Sequence, residues 1–186
     1  KVSIGEVVDD YEVYTLSDAS PHGFSFKDPR LAGLGFRVYS KEKLSSRGNE
    51  KHNTDHGIAL GVAEGYIVSR NERDFPAELN LDGLNAIDFN KGCFVGQEVA
   101  ARIEHKGLVK KRLFKVDGAD LESGGGLSAG GKAIGEMRCV NARGDQGLAL
   151  VRVDYERAEG SFYAEQPGKT AAEVTLTLPA HTLRKS

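Results

Sequence analysis

Runs of alternating apolar and polar residues open the chain and dominate its end, and a differently patterned stretch lies between them. In residues 1–40, "EVVDDYEVYTL" and "GFRVYS" alternate with the two-residue period of half-buried strands. "SDASPHG" and "KDPRLAG" interrupt them with the Asp, Pro and Gly that turns require. The next stretch, "SKEKLSSRGNEKHNTDHG", is almost devoid of apolar residues and reads as a surface loop. "DHGIALGVAEG" then suggests a short helix with Asp55 at its N-cap, weakened by two internal glycines. In "FPAELNLDGLNAIDF", Leu79, Leu81, Leu84 and Ile87 are spaced irregularly around an Asp-Gly turn, the pattern of a packed connector.

From Gly96 the spacing becomes helical. "GQEVAARIEHKG" puts Val99 and Ile103 on one face, Glu98 in the first turn, where a helix dipole favours a carboxylate, and Gly107 at the stop. Beyond it, "LVKKRLFKV", "GKAIGEMRCV", "GLALVRVDY" and "AAEVTLTLP" are strand-like runs divided by Gly- and Asp-rich turns, which predicts a small barrel or sandwich. The expected class is α+β: a partial ferredoxin-like α+β segment, a helix, and a C-terminal small β-barrel. The expected division is residues 1–106 and 107–186. The chain opens on a strand pattern (Val2, Ile4) without a methionine, so an N-terminal portion is expected to be missing from the sequence.

Composition narrows the chemistry. The 186 residues suffice for a real core without disulfides. With 25 Lys and Arg against 27 Asp and Glu, the formal charge of −2 supplies no global field for nucleic acid or an anionic membrane. No apolar run approaches the ~20 residues that span a bilayer. The two cysteines have neither CxxC spacing nor a dense framework, which points to a reducing compartment, read here as the cytoplasm.

Four motifs invite chemistry. Gly126, Gly131 and Lys132 match the spacing of a phosphate loop, but Ala133 replaces the Mg²⁺-binding hydroxyl and a strand pattern follows, so a glycine-rich hairpin turn is expected. His52 and His56 flank Asp55 at one-turn spacing, in surroundings that offer no further ligand and read as solvated loop. Lys106, Lys110, Lys111, Arg112 and Lys115 form the densest basic cluster, read as a solvated strand edge, with a patch for an anionic ligand tail as the sharper option. Cys139, on one alternate face with Ala133, Gly135 and Met137, reads as a small buried hydrophobe.

Cys93, in "FNKGCFVGQE", is different. Gly92 and Gly96 let the backbone turn and leave room around the sulfur, while Lys91 and the following helix N-terminus both favour a thiolate. Phe94 and Val95 favour packing instead, and on local chemistry alone both readings stand.

"NKGCFVGQE", with "FPAELNLD" before it and "ARIEHKGLVKKRL" after it, resembles the YgfZ-type folate-binding proteins. Lys91, Gly92, Cys93, Phe94, Gly96, Gln97 and Glu98 all fall on the K-G-C-aromatic-x-G-Q-E signature of those proteins. "ALGVAEG" at Ala59–Gly65 resembles a segment carried further upstream. That family is related to the glycine-cleavage T-protein, a tetrahydrofolate-dependent aminomethyltransferase. "GYIVSRNE" departs from the T-protein pattern at the expected place, which weighs against aminomethyl transfer, the alternative activity. The resemblance implies a tetrahydrofolate-binding factor for iron–sulfur cluster assembly or repair, with effects on cluster-dependent tRNA modification. Under it, Cys93 is the reactive or cluster-ligating thiol and Lys91 its electrostatic support, and Gln97, Glu98 and Arg102 are candidate folate contacts. Clusters commonly take about four thiolates. With two cysteines in this sequence, a transient cluster has to be shared with an assembly or recipient protein.

Overall fold

The computed structural model describes residues 11–45, 50–62, 64–68, 74–88, 91, 109–155 and 160–182. The chain divides into two compact units, residues 1–49 and 50–186. In the first unit, β1 (Glu12–Leu16), β2 (Phe24–Lys27) and β3 (Phe36–Ser40) form an antiparallel sheet in the order β1-β3-β2. Period-2 patterning is visible in β3, where Val38 and Ser40 are buried and Tyr39 between them is exposed. β2 is an addition to the expected strands, because a four-residue strand with two apolar positions leaves little periodicity to read. Of the expected ferredoxin-like segment, the described residues up to 45 show this three-stranded sheet.

Asp28, directly after β2, organises the turn into β3. Its carboxylate accepts from Arg30 Nε (3.1 Å) and Nη2 (2.9 Å) and from Arg37 Nε (3.2 Å). Burial alone would push this carboxyl up, but the hydrogen bonds and charge of Arg30, then Arg37, outweigh burial and hold it at about 2.

The second unit begins with α1 (Glu50–Ala59) and α2 (Gly65–Val68) and ends in six strands. These are β4 (Lys111–Asp117), β5 (Gly126–Ala129), β6 (Lys132–Val140), β7 (Gln146–Arg152), β8 (Phe162–Glu165) and β9 (Ala172–Thr177). They form a closed barrel in the order β4-β7-β6-β5-β8-β9, with β9 paired back onto β4. The α+β class and the C-terminal barrel are as expected. β5 and β6 are joined by Gly130 and Gly131 at φ 53° and 74°, a two-residue turn needing two left-handed residues. The glycine-rich stretch is thus a hairpin.

Two apolar layers share the barrel wall. Inside lie Phe114, Val116, Leu127, Met137, Ala149 and Val151. Outside, Leu113, Cys139 and Leu148 pack with Ile58, Val68 and Leu79. β7 has five consecutive buried residues, Gly147 to Val151, because both of its faces are covered.

Four expectations are corrected here. The polar loop reading of residues 40–57 fails from Glu50, where α1 begins. A helix so poor in apolar residues is held by tertiary contacts: Ile58 is fully buried in the outer layer, and the Asp55 carboxylate accepts the Ala142 N–H at 2.9 Å. Asp55 therefore sits inside α1 and not at its N-cap. Cys139 is buried as expected, but not on the face of Met137. A bulge between Met137, opposite Ala149, and Cys139, opposite Leu148, reverses the alternation, so Met137 points into the barrel and Cys139 into the outer layer. Finally, β4 pairs with β7 along its whole length and with β9 over Lys115–Asp117, so Lys115 does not lie on a sheet edge, whereas Lys111 and Arg112 pair with β7 alone.

The depressed Asp28 carboxyl sets the acid sensitivity of the first unit. Its contribution is present above the unfolded value of ~4 and is lost as pH falls through the folded value. Tyrosine near-UV signals, followed from neutral pH to about pH 2, should show loss of this unit's structure in that acid window. Asp28→Asn should shrink the pH dependence, and an unchanged acid profile in that variant would contradict the assignment.

Candidate functional site

The connector 74–88 leads directly toward Lys91 and lies on the outer wall of the barrel. Its first turns run through backbone bonds such as Leu81 N–H to Pro76 O (3.1 Å) and Ala86 N–H to Leu81 O (3.0 Å), a chain of tight turns with no regular helix. Ala77, Leu79 and Leu84 are buried, as expected of a packed connector. Gly83 has a specific packing reason: a Cβ there would sit 2.1 Å from the His181 carbonyl oxygen, so only glycine lets the connector touch the turn at residues 180–182.

Polar side chains fasten this connector in three places. Arg112, in β4, donates from Nη1 and Nη2 to the two oxygens of Asp82 at 2.6 and 2.8 Å, and from Nη1 to the Ala77 carbonyl at 2.8 Å. Asn80 is fully buried with φ 61°, and its Nδ2 donates to the Leu113 carbonyl at 2.7 Å. At the other end, Arg138 in β6 donates from Nη2 to Asp74 at 2.8 Å. The Arg138 and Asp74 side chains are only 6% and 4% exposed, and Nε and Nη1 of Arg138 are buried without an acceptor.

Of the expected site residues, Lys91 is described and exposed. Cys93, Gln97, Glu98 and Arg102 lie outside the described residues, as do Gly92, Gly96, Lys106 and the helix expected from Gly96. Within the basic cluster, Lys110 and Lys111 are exposed, whereas Arg112 is engaged by Asp82 and Ala77. It is a structural cation and not an anchor for an anionic tail. His52 and His56 lie one turn apart on α1, both exposed, and among the described residues no three His, Cys, Asp or Glu side chains gather into a metal-holding group. Burial pushes the Cys139 thiol up to about 11, partly offset by a backbone hydrogen bond from Leu148, so at neutral pH it is a protonated core residue.

Sequence reasoning missed the Asp82–Arg112 and Asp74–Arg138 pairs. Asp82 reads as half of an Asp-Gly turn, and Arg112 reads as one cation among lysines. The available signal was the arginine itself, whose planar fork suits buried carboxylates better than an ammonium does.

This architecture has relatives. Residues 110–182 match the family described as CAF17, C-terminal beta-barrel domain. The chain is 31% identical over 167 residues to the mouse (Mus musculus) iron-sulfur cluster assembly factor IBA57, mitochondrial, covering 82% of this chain and 46% of that protein. The human (Homo sapiens) factor of the same name is 33% identical over 138 residues, covering 67% of this chain and 38% of that protein. The chain thus spans under half the length of these relatives. In fold it resembles glycine cleavage system aminomethyltransferase T from Bartonella henselae, with a TM-score of 0.54 and 16% identity, over 68% of this chain and 37% of that one. The expected kinship is met by a likeness to the CAF17 C-terminal barrel over residues 110–182 and by a likeness to the T-protein fold. The cytoplasmic expectation is corrected, because these relatives are mitochondrial by name. Sparse unpaired cysteines report a reducing milieu, which the mitochondrial matrix shares with the cytosol, and so cannot tell the two apart.

The buried Arg138 pair makes a two-sided energetic test. Arg138→Ala strips a buried carboxylate of its cation and should cost ~3–5 kcal/mol in urea unfolding. The double substitution Asp74→Leu with Arg138→Met removes both charges and the two unaccepted donors, and should fall within about 1 kcal/mol of the parent or be more stable. A double variant as unstable as the single one would show that the pair itself stabilises the fold.

Proposed function

We propose that this protein supports iron–sulfur cluster assembly in mitochondria, with Cys93 as the thiol that ligates or reacts. The observation that supports the reading best is the division between its two cysteines. Cys139 is locked in the outer layer of a CAF17-type barrel with its thiol at about 11. Cys93 stands in a K-G-C-aromatic-x-G-Q-E segment whose two ends join that barrel's connector and its first strand. The neighbouring Lys91 favours the thiolate. One such thiol can contribute one ligand to a shared cluster or pass a cluster on, and a partner supplies the remaining ligands.

Tetrahydrofolate is the proposed small-molecule ligand, with Gln97, Glu98 and Arg102 as its contacts. This part rests on the signature resemblance, and Arg112, engaged with Asp82, is not among the contacts. Downstream, loss of the protein would lower cluster-dependent enzymes, tRNA thiomethylation among them. The fold likeness to an aminomethyltransferase carries the fold alone, and aminomethyl transfer is not part of the proposal.

Complementation decides the matter. In cells lacking the endogenous protein, full-length Cys93→Ser should fail to restore mitochondrial cluster-dependent enzyme activity while retaining its circular dichroism spectrum and its folate titration. Normal rescue by that variant would overturn the role of Cys93, and no detectable tetrahydrofolate binding by the parent protein would remove folate from the proposal.

A further inference from the structure

The three-stranded sheet of the first unit has two unlike faces. Its ladder sets Val13 and Phe24 opposite Tyr39, and Thr15 and Phe26 opposite Arg37, so these six residues share one face. The other face holds Val38 and Ser40, both buried, and Tyr14, whose hydroxyl donates to Glu12 and accepts from the Leu44 N–H at 3.1 Å. Glu12, the one carboxylate carried by the three strands, is thus turned away from the first face.

That first face is built from rings and cations. Phe24 is 69% exposed and Tyr39 38%, and Tyr11 and Val13 are exposed beside them. The Phe26 ring centroid lies 5.9 Å from each of Phe24 and Tyr39, and its plane is inclined by only 18° to that of Tyr39. Beyond the last ladder pair, the Lys41 ammonium stands 5.1 Å from the centroid of the Tyr11 ring. Arg37 bonds through Nε at 3.2 Å to Asp28, a buried carboxylate that Arg30 also holds. Exposed rings gathered on one sheet face, unlike apolar side chains scattered singly, mark a binding surface. A wholly apolar partner would leave Arg37 and Lys41 facing nothing of opposite charge, whereas a partner with flat π-faces and anionic groups answers both features. Bases and phosphates are such a pair. The ring spacing of 5.9 Å exceeds the ~3.4 Å between stacked bases of a duplex strand, so successive bases reach successive rings only in a strand free to open its stack. Thr15 and Tyr39 also bring hydroxyls to this face, partners for the 2′-hydroxyl that distinguishes RNA from DNA.

We propose that this face of the β1-β3-β2 sheet is a docking surface for single-stranded RNA, with bases stacked on Phe24 and Tyr39 and phosphates against Arg37 and Lys41. Phe26 backs the two stacking rings. Lys41 covers Tyr11, so that end of the face offers charge in place of a stacking ring. The formal charge of −2 supplies no long-range attraction, and stacking therefore carries most of the affinity. The surface lies within the first unit alone and does not depend on the role of Cys93.

The test is fluorescence anisotropy of a fluorescein-labelled uridine dodecamer titrated with the full-length protein. The parent should bind it, and raising salt from about 50 mM to about 200 mM should weaken binding only about sevenfold, as two neutralised phosphates of a single strand require. Phe24→Ala and Tyr39→Ala should each weaken binding about tenfold, the loss of one stacked base, with the circular dichroism spectrum unchanged because both side chains are exposed. Tyr39→Phe keeps the ring and should keep most of the affinity, whereas Tyr39→Leu keeps apolar bulk without the ring and should behave as Tyr39→Ala. Parent affinity in Tyr39→Leu would show that the face recognises apolar bulk, as the surface of a protein partner would supply, and would overturn the proposal. No binding of the dodecamer at low salt would overturn it as well, and so would a thymidine dodecamer of DNA that binds as tightly as the RNA. Should Tyr39→Ala unfold, Phe24→Ala, at the more exposed position, carries the same test, and parent affinity in that variant refutes stacking.

Discussion

The second unit depends on a barrel wall that is buried from both sides along β4 and β7. Along β4, Leu113 and Phe114 are adjacent in sequence, almost wholly buried, and packed into different layers. β7 repeats this over five residues. Where the wall has no solvent on either face its backbone N–H and C=O groups cannot be left to water, so β7 lies between β4 and β6, and β9, whose outer face is exposed, closes onto β4 over Lys115–Asp117. The bulge in β6 belongs to the same constraint. It lets a single strand give Met137 to the inside and Cys139 to the outside without leaving the ladder.

What sits on the outer face is held by two kinds of interaction with different jobs. The apolar layer of Ile58, Val68, Leu79, Leu113, Cys139 and Leu148 provides most of the driving force, but burial of apolar surface is non-directional and would tolerate the connector in shifted positions. The arginine–carboxylate pairs and the Asn80 side chain are directional. They select one register among those that the apolar layer would accept, at the cost of desolvating four charged groups. Arg138 shows that cost openly, since two of its nitrogens are buried without acceptors. Such residues make sense where placement of the chain matters more than stability alone.

Legibility in the sequence follows from this division. The long strands β4, β6, β7 and β9 were readable because each contains a run of apolar residues between turn signals, and the Gly130-Gly131 hairpin because only glycine satisfies its backbone. α1 was unreadable because its own sequence contains almost nothing that favours a packed helix; the partner that orders it is the barrel, through Ile58 and the Asp55–Ala142 contact. The face of Cys139 was misread because a bulge changes parity without changing composition. The signature around Cys93 marked one segment, whereas the arginines that fasten the connector 74–88 to the barrel were hidden, since a buried arginine and a solvated one are the same letter.

The two cysteines show how far the environment, and not the residue type, decides chemistry. Cys139 lies in an apolar layer in which ionising the sulfur would place a charge beside Leu148 and Leu113, and its thiol is accordingly pushed up to about 11. Nothing that needs a thiolate at neutral pH can run there. The other cysteine, Cys93, carries different signals in the sequence: a lysine two residues away, Gly92 on one side and Phe94 on the other, and a predicted helix N-terminus after it. The fold encloses Cys139 as a structural sulfur, so any thiolate chemistry at neutral pH falls to Cys93 by elimination.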